Sequence, residues 1–130
     1  MDETICLDTS VLIAHKRSKL KTDTLFFRLA STYQRFAVST VTVFESWRGD
    51  SQPDEKVFWE DFLSRMQLIE LDVETARIAG NDYLYLEKSG QRIGTEDILI
   101  SATAKRHNLR LATTNVNHFS RIPDLQLVDL

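Results

Sequence analysis

The chain contains one cysteine, Cys6, so no internal disulfide can staple it. Cys6 lies within the apolar run TICLD, where a thiol reads as a small core side chain in a reducing cytoplasm. No apolar run approaches the ~20 residues that a membrane span needs. The amino terminus, MDETICLD, opens on acids rather than on the basic segment of a signal peptide. The expectation is a cytoplasmic protein, made in its final form and with no membrane partner. Positive charge is not in excess either, since 16 Lys and Arg against 19 Asp and Glu give a formal net charge of −3. That balance excludes a generally basic protein. Repeats, low-complexity tracts and linkers are missing, and none of the 3 histidines has a Cys or second His at zinc spacing.

What is present suffices for a core. With 130 residues and 42% hydrophobic content, residues 1–130 read as one domain. Ile5-Cys6-Leu7 is a short strand ending at Asp8, and Thr9 or Ser10 then offers an N-cap to the helical stretch VLIAHKR. A second helix is expected over about 23–33. Phe36 to Val38 reads as a strand, followed by a helix capped by Ser39 or Thr40 that carries Val41, Phe44, Glu45 and Trp47. After the loop Gly49 to Gln52, Pro53 suits the first turn of a helix with Phe58, Phe62 and Met66 on one face. Leu68 to Leu71 reads as a strand, and Asp72 caps a helix to Lys88 with Ala76, Ala79, Tyr83 and Leu86 or Leu84 inward, ended by Ser89-Gly90. Thr95 is the expected N-cap of the helix in IGTEDILISATAKRHN. Strands over 109–113 and 125–128 complete the pattern. Short apolar strands alternating with helices indicate an α/β fold, a parallel sheet covered on both faces. Ligands in such sheets bind beyond the carboxyl ends of the strands. The residues there are Asp8, Ser39-Thr40, Asp72 and Thr113-Thr114-Asn115.

Three carboxylates stand out. Asp8 ends the first strand and precedes two hydroxyl residues, and it reads equally as an Asp that simply caps the next helix. Glu45 interrupts the apolar stretch TVTVFESW, with Arg48 as a possible partner three positions on. Asp97 shares a helix face with Ser101 and Ala104, whereas its neighbour Glu96 points about 100° away around the axis. One acid of this adjacent pair therefore serves a site, and the other serves the helix end or solvent. Asn115, after RLATT, completes the set at the same edge, with a plain turn residue as the other reading. Asp72 is assigned to capping. Acids gathered without a basic partner repel unless a divalent cation sits among them, and oxygen ligands select Mg2+ or Mn2+. Such ions polarise phosphates and activate water, so phosphodiester hydrolysis is the natural chemistry. His118, in what reads as the loop NVNHF, is a surface residue that could touch substrate.

The segments LDTSVLI, TVTVFES, IGTEDILISATA and LATTNVNHFSRIPDLQLVDL, in that order, resemble the PIN-domain ribonucleases, most closely the VapC-like toxins of type II toxin–antitoxin systems. The resemblance runs from Ile5 nearly to Leu130, and its most specific parts are the strand followed by Asp-Thr-Ser and the block T-x-N-x-x-H-F-x-R-I-P-x-L. It implies a three-layer α/β/α PIN-like fold with a short-stranded, mainly parallel sheet. It also implies a Mg2+- or Mn2+-dependent endoribonuclease acting on single-stranded or loop RNA, a homodimer, and a VapB-like antitoxin in a hetero-oligomer. The family's acidic site maps to Asp8, Glu45 and Asp97, and its variable fourth acid to Asn115. Thr113 and the pair Thr9 and Ser10 match supporting hydroxyl positions. An amide at Asn115 ligates more weakly than a carboxylate, which leaves a second metal site open. The run from His15 to Lys21, with Lys16, Arg17, Lys19 and Lys21, reads either as a solvated helix end or as a flank that holds the RNA backbone.

Competing folds fit less well. A haloacid-dehalogenase-type phosphatase needs a second Asp where Ser10 stands, and a response-regulator receiver needs a Lys that LATTN does not offer. The alternative from another class is a PIN-like binding or regulatory module that works mainly in an antitoxin–operator complex with little nuclease activity. Like charges kept together without a function would cost stability, which favours the enzyme.

Overall fold

The computed structural model describes residues 3–49 and 52–129. Asp50 and Ser51 of the expected loop, the first two residues and Leu130 lie outside the described residues. Four strands, β1 (Thr4–Leu7), β2 (Arg35–Ser39), β3 (Gln67–Ile69) and β4 (Leu111–Ala112), form one sheet in the order β3-β2-β1-β4. Every pairing between them is parallel, with Ile5 opposite Phe36, Leu7 opposite Ala112 and Val38 opposite Leu68. Among the described residues seven α-helices accompany them: α1 (Thr9–Arg17), α2 (Leu25–Ala30), α3 (Thr40–Gly49), α4 (Pro53–Ser64), α5 (Val73–Lys88), α6 (Thr95–Arg106) and α7 (Val116–Phe119).

Side chains alternate across a strand, and β1 uses both faces. Ile5 and Leu7 enter a core with Val11, Leu12, Leu25, Trp59 and Leu63, contributed by α1, α2 and α4. Cys6 enters the opposite core with Ala79, Ile98, Ile100 and Phe119, from α5, α6 and α7. The expected three layers are therefore present, and burial pushes the Cys6 thiol up to about 12, so it stays protonated. Each large aliphatic side chain buried in these layers contributes about 1.5–3 kcal/mol. Trp59 is core, Phe26 and Phe58 pack against it, and Phe27 stays exposed. No helix among the described residues is long and apolar enough to cross a membrane.

Several element boundaries differ from expectation. Asp8, not Thr9 or Ser10, occupies the N-cap position of α1, and both hydroxyl residues lie inside the helix with their side chains committed elsewhere. Gly94, not Thr95, holds the N-cap position of α6. The helix expected over 23–33 is the shorter α2, capped by Thr24, whose hydroxyl accepts from Phe27 N, after a single 3-10 turn, Lys21–Asp23. The inward face of α5 is Thr75, Ala79, Asp82 and Leu86, while Ala76, Tyr83 and Leu84 are exposed. The reason is a buried ion pair: Lys105 Nζ lies 2.8 Å from Asp82 Oδ2 and donates to the Pro123 carbonyl at 2.7 Å. The expected last strand reduces to one bridge, Leu111 to Leu127, because β4 itself spans two residues and pairs with β1 along its other edge. NVNHF, expected as a loop, forms α7, anchored by fully buried Phe119.

The chain leaves β1 toward β2 on one side and returns as β4 on the other. The carboxyl ends of β1 and β4 thus flank a topological switch point, where a parallel sheet opens a crevice. Asp8 and Thr113 are the residues that follow these two strands.

Candidate active site

Asp8 stands at the base of the crevice, 2% exposed. Its Oδ2 accepts two hydroxyl hydrogen bonds, from Ser10 Oγ at 2.6 Å and from Thr113 Oγ1 at 2.9 Å. Each hydroxyl is itself oriented by a backbone amide, Thr114 N donating to Ser10 Oγ at 3.2 Å and Asn115 N to Thr113 Oγ1 at 2.9 Å. A carboxylate that accepts such bonds is fixed in direction, yet no ion pair involves Asp8 among the described residues.

Glu45 projects from α3 into the same region, and Thr9, on the first turn of α1, donates to its Oε1 at 2.7 Å. The Thr9 hydroxyl also lies 3.0 Å from Thr42 Oγ1. Thr42 is fully buried and was not singled out from the sequence. Its position one turn before Glu45 was the available signal, but a threonine in an apolar helix normally has no further meaning. Arg48 approaches Glu45 Oε2 at 3.6 Å and Glu96 Oε1 at 3.4 Å.

Asp97, in the first turn of α6, faces the two other acids. Burial pushes its carboxyl up to about 6, and the charges of Asp8 and Glu45 add to that shift, while His118 opposes it. The imidazole Nδ1 of His118 is 4.0 Å from Asp97 Oδ2. The adjacent carboxylates of α6 thus separate as helical geometry requires: Asp97 belongs to the crevice and Glu96 to a surface pair with Arg48.

Asn115 stands at the same edge, with backbone and side chain placed differently. Its backbone amide joins the Asp8 network, but its side chain is exposed and makes no hydrogen bond among the described residues. The basic run also divides. Lys21 turns back on the end of α1 and donates to the carbonyls of His15, Lys16 and Ser18 at 2.7, 2.7 and 2.8 Å, so it caps the helix. Lys16 and Arg17 line a recess with Glu45, Ser46 and Trp59 beside the acids, whereas Lys19 is exposed on the far end of the run. Ser39 accepts from Val41 N at 2.9 Å and Asp72 from Thr75 N at 2.8 Å, so both act as caps.

The crevice therefore gathers three carboxylates backed by four hydroxyls, from Thr9, Ser10, Thr42 and Thr113, with the His118 imidazole beside Asp97 and Arg48 beside Glu45 at its borders. Among the described residues no three His, Cys, Asp or Glu side chains converge tightly enough to cage a cation by themselves.

A family model for the PIN domain matches residues 5–125, and the chain belongs to the PIN-domain family. Within the family, its similarity is to VapC ribonucleases. It is 33% identical over 121 residues to Ribonuclease VapC2 of Haemophilus influenzae, covering 89% of each chain. It is 32% identical over 120 residues to Ribonuclease VapC19 of Mycobacterium tuberculosis, covering 92% of this chain and 95% of the relative. Among solved structures, DNA-bound VapBC from Salmonella typhimurium matches with a TM-score of 0.86 at 26% identity, over 99% of this chain and 98% of that one. VapBC-1 from nontypeable Haemophilus influenzae matches with a TM-score of 0.83 at 27% identity, over 97% of both.

Proposed function

We propose that the protein, as a single PIN domain, is a metal-dependent endoribonuclease and the toxin of a toxin–antitoxin pair, hydrolysing phosphodiester bonds in single-stranded or loop RNA. The observation that carries this reading is Asp97, a crevice carboxylate whose proton is held up to about pH 6 by burial and by its neighbours Asp8 and Glu45, of which Asp8 has no ion-pair partner among the described residues and Glu45 has only the half-exposed Arg48 at 3.6 Å. Such a cluster is unfavourable by itself and becomes favourable around a divalent ion. The relatives' description as ribonucleases, and the VapBC complexes among the structural matches, support the same reading and a VapB-like antitoxin as partner. A homodimer is part of the proposal.

The donor set fits Mg2+ or Mn2+. Mg2+ in particular keeps several waters and takes one or two carboxylates plus substrate phosphate, which suits a site where no three acids close on one point. Asp8 and Asp97 would hold the ion, with Glu45 directly or through water. When bound, the ion supplies charge for the scissile phosphate and lowers the pKa of water. The protein's own work is orientation. Ser10 and Thr113 fix Oδ2 of Asp8, Thr9 fixes Glu45, and Asn115 stands where it can bond a phosphate oxygen or a water. Lys16 and Arg17 offer positive charge beside Glu45 for the RNA backbone. Lys21 does not join them, since its three bonds hold the end of α1.

The test is to purify the chain without antitoxin and incubate it with a mixed pool of structured RNAs, transfer RNA included, plus Mg2+ or Mn2+, with EDTA and Asp97→Asn as controls. Discrete fragments that vanish in both controls are expected. Intact RNA from folded protein under all conditions would overturn the nuclease reading.

A further inference from the structure

The two flanks of the acid cluster differ in chemistry. On the Glu45 side stand Lys16 and Arg17 in the recess and Arg48 outside it. Beyond Asp97, a cleft of about 330 Å³ is lined by Thr114, Asn115, Val116, Asn117 and His118. That lining holds two amides, a hydroxyl, an imidazole and an exposed valine, but no lysine, arginine or carboxylate. Such a surface is poorly suited to a phosphate and well suited to a nucleobase, which offers a flat ring to stack and an edge to hydrogen-bond.

The cleft is also held in shape. Phe119, fully buried, pins α7 to the core. The Asn115 carbonyl accepts from His118 N at 3.1 Å and Phe119 N at 3.2 Å, and Asn115 N is tied to Thr113 in the Asp8 network. His118 is thereby presented half-exposed at the border between the cleft and Asp97, 4.0 Å from its Oδ2. Because His118 borders Asp97, a strand whose phosphate lies over Asp8 and Asp97 has this cleft within reach of a neighbouring nucleotide.

We infer that the Thr114–His118 cleft is a base-reading subsite: His118 stacks on the nucleobase next to the scissile phosphate, and the Asn117 amide bonds that base's edge. This rests on the nuclease reading. It separates two tasks, with cations on one flank gripping backbone of any sequence and His118 and the Asn117 amide on the other setting which sequence is cut.

The experiment digests a randomised single-stranded RNA pool with the wild type, His118→Ala, His118→Phe and Asn117→Ala, sequences the fragment ends, and checks folding of each variant by circular dichroism. His118→Ala should cut about 10-fold more slowly, in keeping with the loss of one base–aromatic stack, whereas His118→Phe restores most of the rate. Asn117→Ala should change the base preference at one position beside the cut and cut the wild type's preferred sequence several-fold more slowly, with sequences the wild type disfavours cut relatively better. Unchanged fragment ends in both alanine variants, or no rescue by His118→Phe, would overturn the subsite. Should the wild type cut nothing, the nuclease reading fails separately. Selection of bound RNA from the same pool then decides the cleft, by whether one base is enriched and whether Asn117→Ala abolishes that enrichment.

Discussion

Asp8 and Asp82 are both buried aspartates, 2% and 5% exposed, and the fold meets their charges in opposite ways. Asp82, on α5, receives both its hydrogen bonds from Lys105, at 3.1 and 2.8 Å, so the charge is matched inside the protein. Asp8 receives two hydroxyls and, among the described residues, no cation, and it faces a second acid whose proton is held up to about 6. A buried carboxylate with a cation holds helices together, whereas one given only orientation awaits something from outside. The difference lies in what each would lose on neutralisation.

The largest effect should follow from Asp8→Asn. Cleavage should fall by more than about 100-fold, beyond the loss typical of residues that merely support a ligand. Its Tm should stay at or above that of the wild type, since no internal ion pair is broken. A variant that cuts normally would sink the scheme. Asp82→Asn should do the reverse. Removing one partner of a buried pair strands the Lys105 charge at a cost of about 3 kcal/mol, or roughly 10 °C in Tm for a domain of this size, with cleavage at permissive temperature little changed. A thermal melt and an RNA digest of the same two proteins make the comparison directly.

Asp97 sharpens it through pH. Its carboxyl is raised from 3.8 to about 6 in the folded state, so between those values the folded protein binds more protons than the unfolded chain and stability falls as pH rises. Above that window the full destabilisation is present, and below the unfolded value it is gone. In chelating buffer, Asp97→Asn should therefore be more stable than the wild type at neutral pH, with the gap closing toward about pH 4, as urea titrations would show. A gap that does not vary with pH would contradict the crowding of acids. Adding Mn2+ should stabilise the wild type and not the variant, because an ion that binds only the folded state adds to its stability.

The contrast also explains what the sequence made legible. Asp8, Glu45 and Asp97 were readable because each stands against an apolar pattern at a strand end or in the first turns of a helix, although capping accounts for an acid at Asp8, the helix dipole for one of the α6 pair and Arg48 for Glu45, so only their convergence at one sheet edge set them apart. The hydroxyls that hold Asp8 come from positions 10 and 113, and only Ser10, two positions on, was near enough in sequence for spacing alone to suggest contact. The inward face of α5 was misjudged because Asp82 is charged and Tyr83 is aromatic. Its partner Lys105 lies 23 residues away, which periodicity cannot see. Lys21 was grouped with Lys16 and Arg17 by composition, yet its stem is long enough to fold back on α1. α7 was missed because four residues are too few for a helical period, and Phe119 holds it by tertiary burial.

Smaller changes should follow at the hydroxyls. Thr9→Val removes the donor to Glu45 and should lower cleavage by about 10-fold, the scale of an orienting partner, while the β-branched shape preserves packing. Loss equal to that of Asp8→Asn would mean that Thr9 touches the reacting groups itself.

The smallest effect should come from Glu96→Gln, although Glu96 adjoins Asp97 in sequence. Its partner Arg48 is 52% exposed and the Glu96 side chain 39%, so their 3.4 Å contact is a solvated pair. Such pairs are worth at most about 1 kcal/mol, and cleavage should change by less than about 5-fold. Arg48 would keep Glu45, 3.6 Å away, as its remaining acid. A digest comparing Glu96→Gln with Asp97→Asn is therefore a test of helix geometry as much as of chemistry. Comparable losses in both would mean that the crevice reads the α6 acids together, and that the turn of the helix between them does not divide site from surface.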